Sequence, residues 1–355
     1  MRLGIIGLPQ SGKTTLFNAL TRGTQPTGAT GKIEVHTAVV DVPDPRVDIL
    51  SKMFNPRKTI YAKVTYADIA GLDGSASKSG ISGTLLNQLT QMDGFIEVVR
   101  CFEDENIPHA SGNVDPQRDI LAMESEFILN DLIAVERKLE HLAEEKKKGA
   151  GRDKAIIERE HALFERFHAA LSEEIPLRDI EINAEEEKLM AGFGFLSRKP
   201  MLVVLNLGEG QPAPQVKYEH KHVQIVPLQG KLEMDIAQLP PEDAAAFLAD
   251  YGIEEPSLNR VIRLSYDLLG LQSFFTTGPD EVRAWTTHRG ATAPEAAGEI
   301  HTDLQKGFIR AEVVTYNDLI TLGGMNEVKA KGKFRLEGKE YIVQDGDILN
   351  IRFSV

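Results

Sequence analysis

Short apolar runs recur along the chain, and each reads as a buried strand: Leu3-Gly4-Ile5-Ile6, Ala62 to Ala67, Gly94 to Phe102, Met201 to Asn206 and Val223 to Leu228. Strands covered by helices on both faces lose the alternation of a half-exposed sheet and become nearly continuous in apolar residues. Helical spacing lies between them, at Leu16 to Leu20, Asp48 to Phe54 and Leu85 to Met92. Lys32 to Val42 reads as extended chain that ends at Pro43-Asp44-Pro45, because each proline fixes its own φ and disfavours helix in the residue before it. The alternation predicts an α/β domain.

The pattern changes at Asp119. From there to about Gly192, Leu121, Phe127, Ile128, Leu132, Val135, Leu139 and Leu142 recur at helical spacing among dense charge, and Gly149-Ala150-Gly151 divides the stretch into two arms, the second running from Asp153 to Leu171. This is an antiparallel helical hairpin of coiled-coil character. Its acids outnumber its bases, and the charge runs read as a solvated face before they read as a docking surface for a basic partner. Because the strand Met201 to Asn206 follows, the hairpin is inserted into the α/β domain. Leu258 to Leu271 is an amphipathic helix. Beyond Ser273 come short extended pieces at Arg283 to Thr286, Phe308 to Val314, Tyr341 to Val343 and Ile348 to Phe353. One short helix, Ala296 to Leu304, lies among them, and Gly338 and Gly346 mark turns. That describes a small α+β domain. The boundaries expected are residues 1–118 with 194–270 for the first domain, 119–193 for the hairpin and 271–355 for the last.

Charge and composition narrow the classes. A net charge of −13 argues against nucleic-acid binding by the molecule as a whole, leaving local patches such as Lys329-Lys331-Lys333-Arg335 as candidates. The single cysteine, Cys101, rules out an internal disulfide framework and suits a reducing compartment; its simplest reading is a small buried side chain. No apolar stretch reaches membrane-spanning length and the N-terminal run reads as a core strand, so a cytoplasmic protein with no membrane partner is expected.

The chemistry is concentrated at Gly7-Leu8-Pro9-Gln10-Ser11-Gly12-Lys13-Thr14-Thr15, which fits G-x-x-x-x-G-K-[ST] between a strand and a helix. Glycines let main-chain N–H groups turn inward around phosphate oxygens, and the helix beginning near Lys13 points its positive end at them. Lys13 is expected to reach the β- and γ-phosphates and Thr14 to ligate Mg²⁺. Asp68, at the end of a strand and followed by Ile69-Ala70-Gly71, is placed to hold the metal, with Gly71 N–H available to the γ-phosphate. Where GTPases read guanine with N-K-x-D, this chain has Asn206-Leu207-Gly208-Glu209. The longer Glu209 spoils a fork fitted to guanine, and adenine suits main-chain groups near Leu207. ATP is therefore favoured over GTP. A water-orienting Gln after D-x-x-G is replaced by Leu72, so slow turnover is expected.

These features, together with Val42-Pro43-Asp44-Pro45-Arg46, Val98 to Phe102, Glu281 to Thr286, Gly290 to Pro294, Ile300 to Asp303, Lys306 to Val313 and Tyr341 to Asp347, resemble the YchF family of Obg-like ATPases nearly end to end. The resemblance implies an α/β P-loop NTPase domain with an inserted coiled-coil hairpin, plus a C-terminal TGS domain of ubiquitin-like β-grasp fold. It also implies preference for ATP over GTP, association with ribosomes, and RNA contact through the hairpin and TGS surfaces. Gln10, Ser11, Gly12, Lys13, Thr14, Thr15, Gly71, Asn206, Leu207, Glu209 and Leu228 then fall on nucleotide contacts, and Thr14 and Asp68 on Mg²⁺. His109 matches a family histidine proposed to position water, and an imidazole of near-neutral pKa suits that task as well as it suits a solvated loop.

Two departures stand out. The loop carries Gln10-Ser11 and Thr14 where family members spell N-V and Ser, which keeps the cradle and a hydroxyl. Lys32 stands where the family has its metal-binding switch Thr, so either Thr30 substitutes or that ligand is missing. The expected function is a slow Mg²⁺-dependent ATP-hydrolysing switch; the alternatives are an Obg-class GTPase and a ribosome or RNA adaptor with a vestigial nucleotide site.

Overall fold

A computed structural model describes residues 1–25, 35–69, 81, 83–148, 152–250 and 255–354. Among these, twelve strands form two sheets: β1 (Arg2–Ile6), β2 (Val35–Asp41), β3 (Lys58–Ile60), β4 (Lys63–Ile69), β5 (Gly94–Arg100), β6 (Met201–Asn206), β7 (Val223–Leu228), β8 (Leu271–Thr277), β9 (Glu281–His288), β10 (Phe308–Thr315), β11 (Arg335–Glu337) and β12 (Asp347–Phe353). The chain divides into two compact units, Met1–Ala38 with Thr65–Leu258, and Val39–Val64 with Asn259–Val355.

In the first unit the sheet order is β2-β4-β1-β5-β6-β7, and the pairs β4-β1-β5-β6-β7 are parallel. All seven residues of β5 and all six of β6 are buried, as their continuous apolar spelling requires. Register does the positioning. Ile5 lies opposite Asp68, which brings that carboxylate level with the end of β1, and Arg100, Asn206 and Leu228 lie side by side at the ends of β5, β6 and β7. In an open parallel sheet the carboxyl edge where neighbouring strands leave in opposite directions is the ligand edge. Here that edge holds the loop after β1.

The helices Pro116–Lys148 and Lys154–Ser172 pack through Ile128, Val135, Leu163, Phe164, Phe167 and Leu171. Lys138 pairs with Glu160 at 3.1 Å and Arg152 with Glu145 at 3.1 Å, so the two helices run antiparallel. The Gly149-Ala150-Gly151 break lies outside the described residues. Phe193 and Phe195 close the base of the pair against Phe164, with ring centroids 5.0 and 6.2 Å away.

One buried cluster has no counterpart in the apolar pattern. Glu97, in the middle of β5, is 1 % exposed beside Glu124, Arg178 and Tyr218, and Arg178 and Tyr218 both donate to Glu124. Burial, reinforced by the Glu124 charge, holds the Glu97 carboxyl well above the ordinary carboxylate range. An acid whose folded pKa is raised keeps its full contribution below the unfolded value and loses it as pH rises towards the folded value. Glu97→Gln is therefore expected to leave thermal stability nearly unchanged at pH 5 and to raise it at pH 8. Equal shifts at both pH values in scanning calorimetry would remove the account.

The second unit is built on the order β11-β10-β12-β8-β9-β3. β8-β9 and β10-β12 are antiparallel, while β12-β8 and β3-β9 are parallel. Helix Ala293–Ile300 covers one face through Ala293, Ala296 and Ala297 against Phe274, Val313 and Leu349. Residues 39–64 belong to this unit. The helix expected at Asp48 starts earlier, at Pro45, because Asp44 caps it by accepting from Arg46 N and proline suits the first helical position. The Arg46 guanidinium lies between Asp44 and Asp345, 5.1 Å above the Phe275 ring.

Several local expectations are corrected here. The helix expected to reach Leu271 is Ser257–Leu268, and Leu271 opens β8. Tyr341 to Val343 forms only an isolated bridge, Thr292 to Ile342. Helices Tyr316–Leu322 and Met325–Ala330 were not expected, although Thr315 capping Asp318 N marks the first of them. In the basic run, Lys333 pairs with Asp318, Arg335 with Glu337, and Lys329 sits over the Phe334 ring, so little of that patch remains unpartnered.

Candidate functional site

The loop after β1 turns on residues the sequence singled out. Gly7 has φ 141° and Gly12 φ 100°, both left-handed. A Cβ on Gly7 would strike the Val98 carbonyl, and one on Gly12 the Asn206 amide. The close approach, as much as the backbone angle, demands glycine. Gln10 is exposed at φ 62°, and Ser11 is buried with no hydrogen-bond partner for its hydroxyl among the described residues. Helix Lys13–Thr21 starts directly after Gly12, leaving its first N–H groups and its positive dipole end at the loop. Thr15 is half-buried on that first turn.

Lys13 Nζ donates to the carbonyls of Gly7 and Leu8, each at 2.8 Å, which points the ammonium along the loop. Burial pulls its pKa down to about 8, against the Asp68 charge, which raises it. An anion beside Nζ restores the charged form, so nucleotide binding is expected to take up a proton at pH 8–9. Titrations in two buffers of different ionisation enthalpy at pH 8.5 measure it, and Lys13→Met abolishes it. Identical apparent enthalpies in both buffers would refute this. For stability the sign is the reverse of Glu97: the lowered pKa costs stability below about pH 8, and the cost fades as pH rises towards the ordinary lysine value.

Thr14 Oγ1 donates to Asp68 Oδ2 at 2.9 Å. Asp68 is 5 % exposed, and its Oδ1 has no hydrogen-bond partner among the described residues. Burial raises its pKa, opposed by the Thr14 hydrogen bond and by Lys13 and His36. A hydroxyl and a half-satisfied carboxylate side by side fit a hard cation that takes oxygen ligands. Among the described residues no cluster of three or more His, Cys, Asp or Glu side chains could hold a metal by itself. Gly71, Leu72, Thr30 and Lys32 lie outside the described residues.

At the ends of β6 and β7, the expected base contacts divide. Asn206 is spent inside the protein: Nδ2 donates to Ser11 O at 2.9 Å and Oδ1 accepts from Gly230 N at 3.0 Å. It fastens the phosphate loop to the turn after β7. Leu207 is buried in the core, with its N–H donating to Leu228 O at 2.8 Å, while Glu209 is exposed. His109 is buried and engaged at both ring nitrogens: Ser111 N donates to Nδ1 at 3.1 Å, and Nε2 lies 2.8 Å from Asp119. Ser111 requires Nδ1 to be unprotonated, so Nε2–H donates to Asp119. A neutral imidazole has one lone pair, and here Ser111 holds it. In this conformation both ring nitrogens are engaged, and positioning water would require the ring to leave Asp119 or Ser111 first.

Gln211 was not singled out from the sequence. It joins the loops after β5 and β6, and an isolated glutamine in a proline-flanked loop carries no signal for such a role.

Fold and site together define a P-loop nucleoside triphosphatase. The family model described as 50S ribosome-binding GTPase matches residues 2–206, and the YchF GTPase C-terminal model, described as a protein of unknown function, matches residues 271–354. The chain is 42% identical to the ribosome-binding ATPase YchF of Haemophilus ducreyi, over 100% of this chain and 99% of that one, and 40% identical to that of Bacillus subtilis over 99% of each. The solved structure of the Schizosaccharomyces pombe YchF GTPase superposes with a TM-score of 0.82 at 30% identity, covering 99% of this chain and 97% of that one. The chain belongs to the YchF family. Among the described residues no helix is long and apolar enough to cross a membrane.

Proposed function

We propose that this protein is a slow Mg²⁺-dependent ATPase that works as a nucleotide-state switch on ribosomes; its bacterial relatives are named ribosome-binding ATPases. The observation that carries the choice of ATP is the end of β6: Asn206 is committed to the phosphate loop and Leu207 to the core, so Glu209 alone of Asn206 to Glu209 is a free side chain, and its carboxylate arm is one methylene longer than a guanine-reading fork takes. Polar recognition of the base then falls to the main chain.

Lys13 would bind and charge-balance the β- and γ-phosphates, and the main-chain N–H groups from Gln10 to Thr15 would orient them. Thr14 and Asp68 would hold Mg²⁺, which supplies charge neutralisation between the phosphates. His109 would reach water only after giving up Asp119 or Ser111, which accords with low intrinsic turnover. The proposed organisation is a nucleotide domain with an inserted coiled-coil arm and a TGS domain of β-grasp type; the sheet order of the second unit, with helix Ala293–Ile300 packed on it, supports the last assignment. RNA contact through the arm or the TGS surface belongs to the same proposal.

The test is calorimetric titration with ATP and with GTP, each with Mg²⁺, followed by turnover on the same sample. Tighter ATP binding with slow hydrolysis is expected. Tighter GTP binding overturns the base assignment, and binding of neither leaves an adaptor.

A further inference from the structure

We propose that Gln211 is the positioning residue for base recognition, a clamp that holds the loop after β6 in the form that discriminates adenine from guanine; this rests on the ATP reading above. The side chain spans two loops. Its Oε1 accepts from Gly208 N at 2.9 Å and its Nε2 donates to Cys101 O at 2.6 Å, while its own N–H closes back on Gly208 O at 3.2 Å. Both main-chain groups of Gly208 are thereby used.

The loop it is tied to is itself fixed. Arg100, 1 % exposed, donates from Nε to Phe102 O at 3.0 Å and from Nη2 to Ile107 O at 2.7 Å, and its guanidinium lies 4.7 Å from the Phe102 ring centroid. A Cβ on Gly208 would come within 3.2 Å of Gln211 Oε1 and 3.4 Å of Phe102 Cβ, so residue 208 sits in a closed notch. Cys101 N donates to Asn206 O at 2.9 Å, continuing the same seam down to the residue that fastens the phosphate loop. Clamp, base loop and phosphate loop form one hydrogen-bonded chain: Cys101 to Gln211 to Gly208, and Asn206 to Ser11.

What the clamp leaves over is informative. Leu207 N–H is taken by Leu228 O and both groups of Gly208 are taken by Gln211, which leaves the Leu207 carbonyl and the Glu209 N–H without a partner among the described residues, and the base edge is assigned to these two. An acceptor followed by a donor complements adenine, with its N6–H₂ donor and N1 acceptor. Guanine presents the reverse, O6 as acceptor and N1–H as donor. Without the Gln211 side chain Gly208 N–H is released, while Gly208 C=O stays with the main-chain N–H of residue 211, and the loop gains a free donor that guanine O6 can take. Discrimination by main-chain groups depends on which of them are already spent.

The experiment measures dissociation constants for ATP, GTP and inorganic tripolyphosphate, all with Mg²⁺, on the full chain and on Gln211→Leu, which keeps volume and removes both side-chain bonds. The ATP-over-GTP affinity ratio should fall about tenfold, the worth of one lost discriminating hydrogen bond, with tripolyphosphate binding unchanged. Gln211→Glu keeps the acceptor for Gly208 N but sets an oxygen against Cys101 O, and should lie between the two; it serves also if the leucine variant does not fold. An equal loss for all three ligands, or no change in the ratio in either variant, overturns the clamp. A parent protein that prefers GTP overturns the ATP reading separately, and the clamp is then judged on the same change in ratio.

Discussion

Lys13→Ala should lower single-turnover hydrolysis roughly 10²–10³-fold, the loss that follows removal of one preorganised donor from a developing transition-state charge. The geometry gives the reason. Nζ is already aimed along the loop by two main-chain carbonyls, so its reorganisation is small when phosphates arrive, and no other lysine or arginine is hydrogen-bonded to the described part of the loop. Rapid-quench measurement at saturating ATP, with circular dichroism to show that the variant folds, gives the number. If the protein is a switch, the same substitution also removes the difference in ribosome co-sedimentation between the ATP-bound and nucleotide-free forms. If it is an adaptor, co-sedimentation is unaltered. Turnover equal to that of the parent would mean that Lys13 only holds the loop carbonyls.

Gly7→Ala is expected to be the most damaging small substitution for stability. The left-handed backbone there costs a non-glycine residue about 1–2 kcal/mol. The added methyl also meets the Val98 carbonyl, which is main chain of a fully buried strand and has no rotamer through which to move away. A total of about 3–4 kcal/mol places it in the upper range of single substitutions. Gly192→Ala is the control: its φ is 93°, but no atom lies within 4 Å of the added carbon, so only the backbone cost remains. Thermal denaturation of both should separate them by several degrees, and similar melting temperatures would show that the β1–β5 edge yields more easily than its burial suggests.

Much of this was legible because it is carried by local spelling. The strands Met201 to Asn206 and Val223 to Leu228 coincide with β6 and β7, since a continuous apolar run between turn residues admits little else. The phosphate loop was legible because its glycines answer a local backbone demand. The placement of Asp68 beside β1 was legible in kind, as a strand end, though its register was not. What stayed hidden is long-range. Lys58–Ile60 is three residues that become β3 only because β9 pairs with them, and nothing in Lys-Thr-Ile announces it. Glu97 sits at a core position where the apolar pattern gave no warning, because its partners Glu124, Arg178 and Tyr218 come from distant segments. Gln211 and the second role of Asn206 are likewise properties of loops brought together by the sheet. His109 was found through the family resemblance, but its partners decide what it can do, and those are visible only in three dimensions.

The assignment of residues 39–64 to the second unit has a consequence for how the chain is made. Helix Pro45–Phe54 packs on β9 and its Val47 and Leu50 are fully buried, yet β8, β9 and β12 are synthesised only after the whole first unit has been translated. A nascent chain must therefore carry an early segment whose apolar face lacks its β9 cover until residues 281–288 emerge, while β2 and β4 on either side of it are already needed by the first sheet. Domain-by-domain folding from the N-terminus is closed to this topology, and a message truncated near residue 270 yields a nucleotide domain with an orphaned helix, a substrate for chaperones and proteases and not a smaller working enzyme.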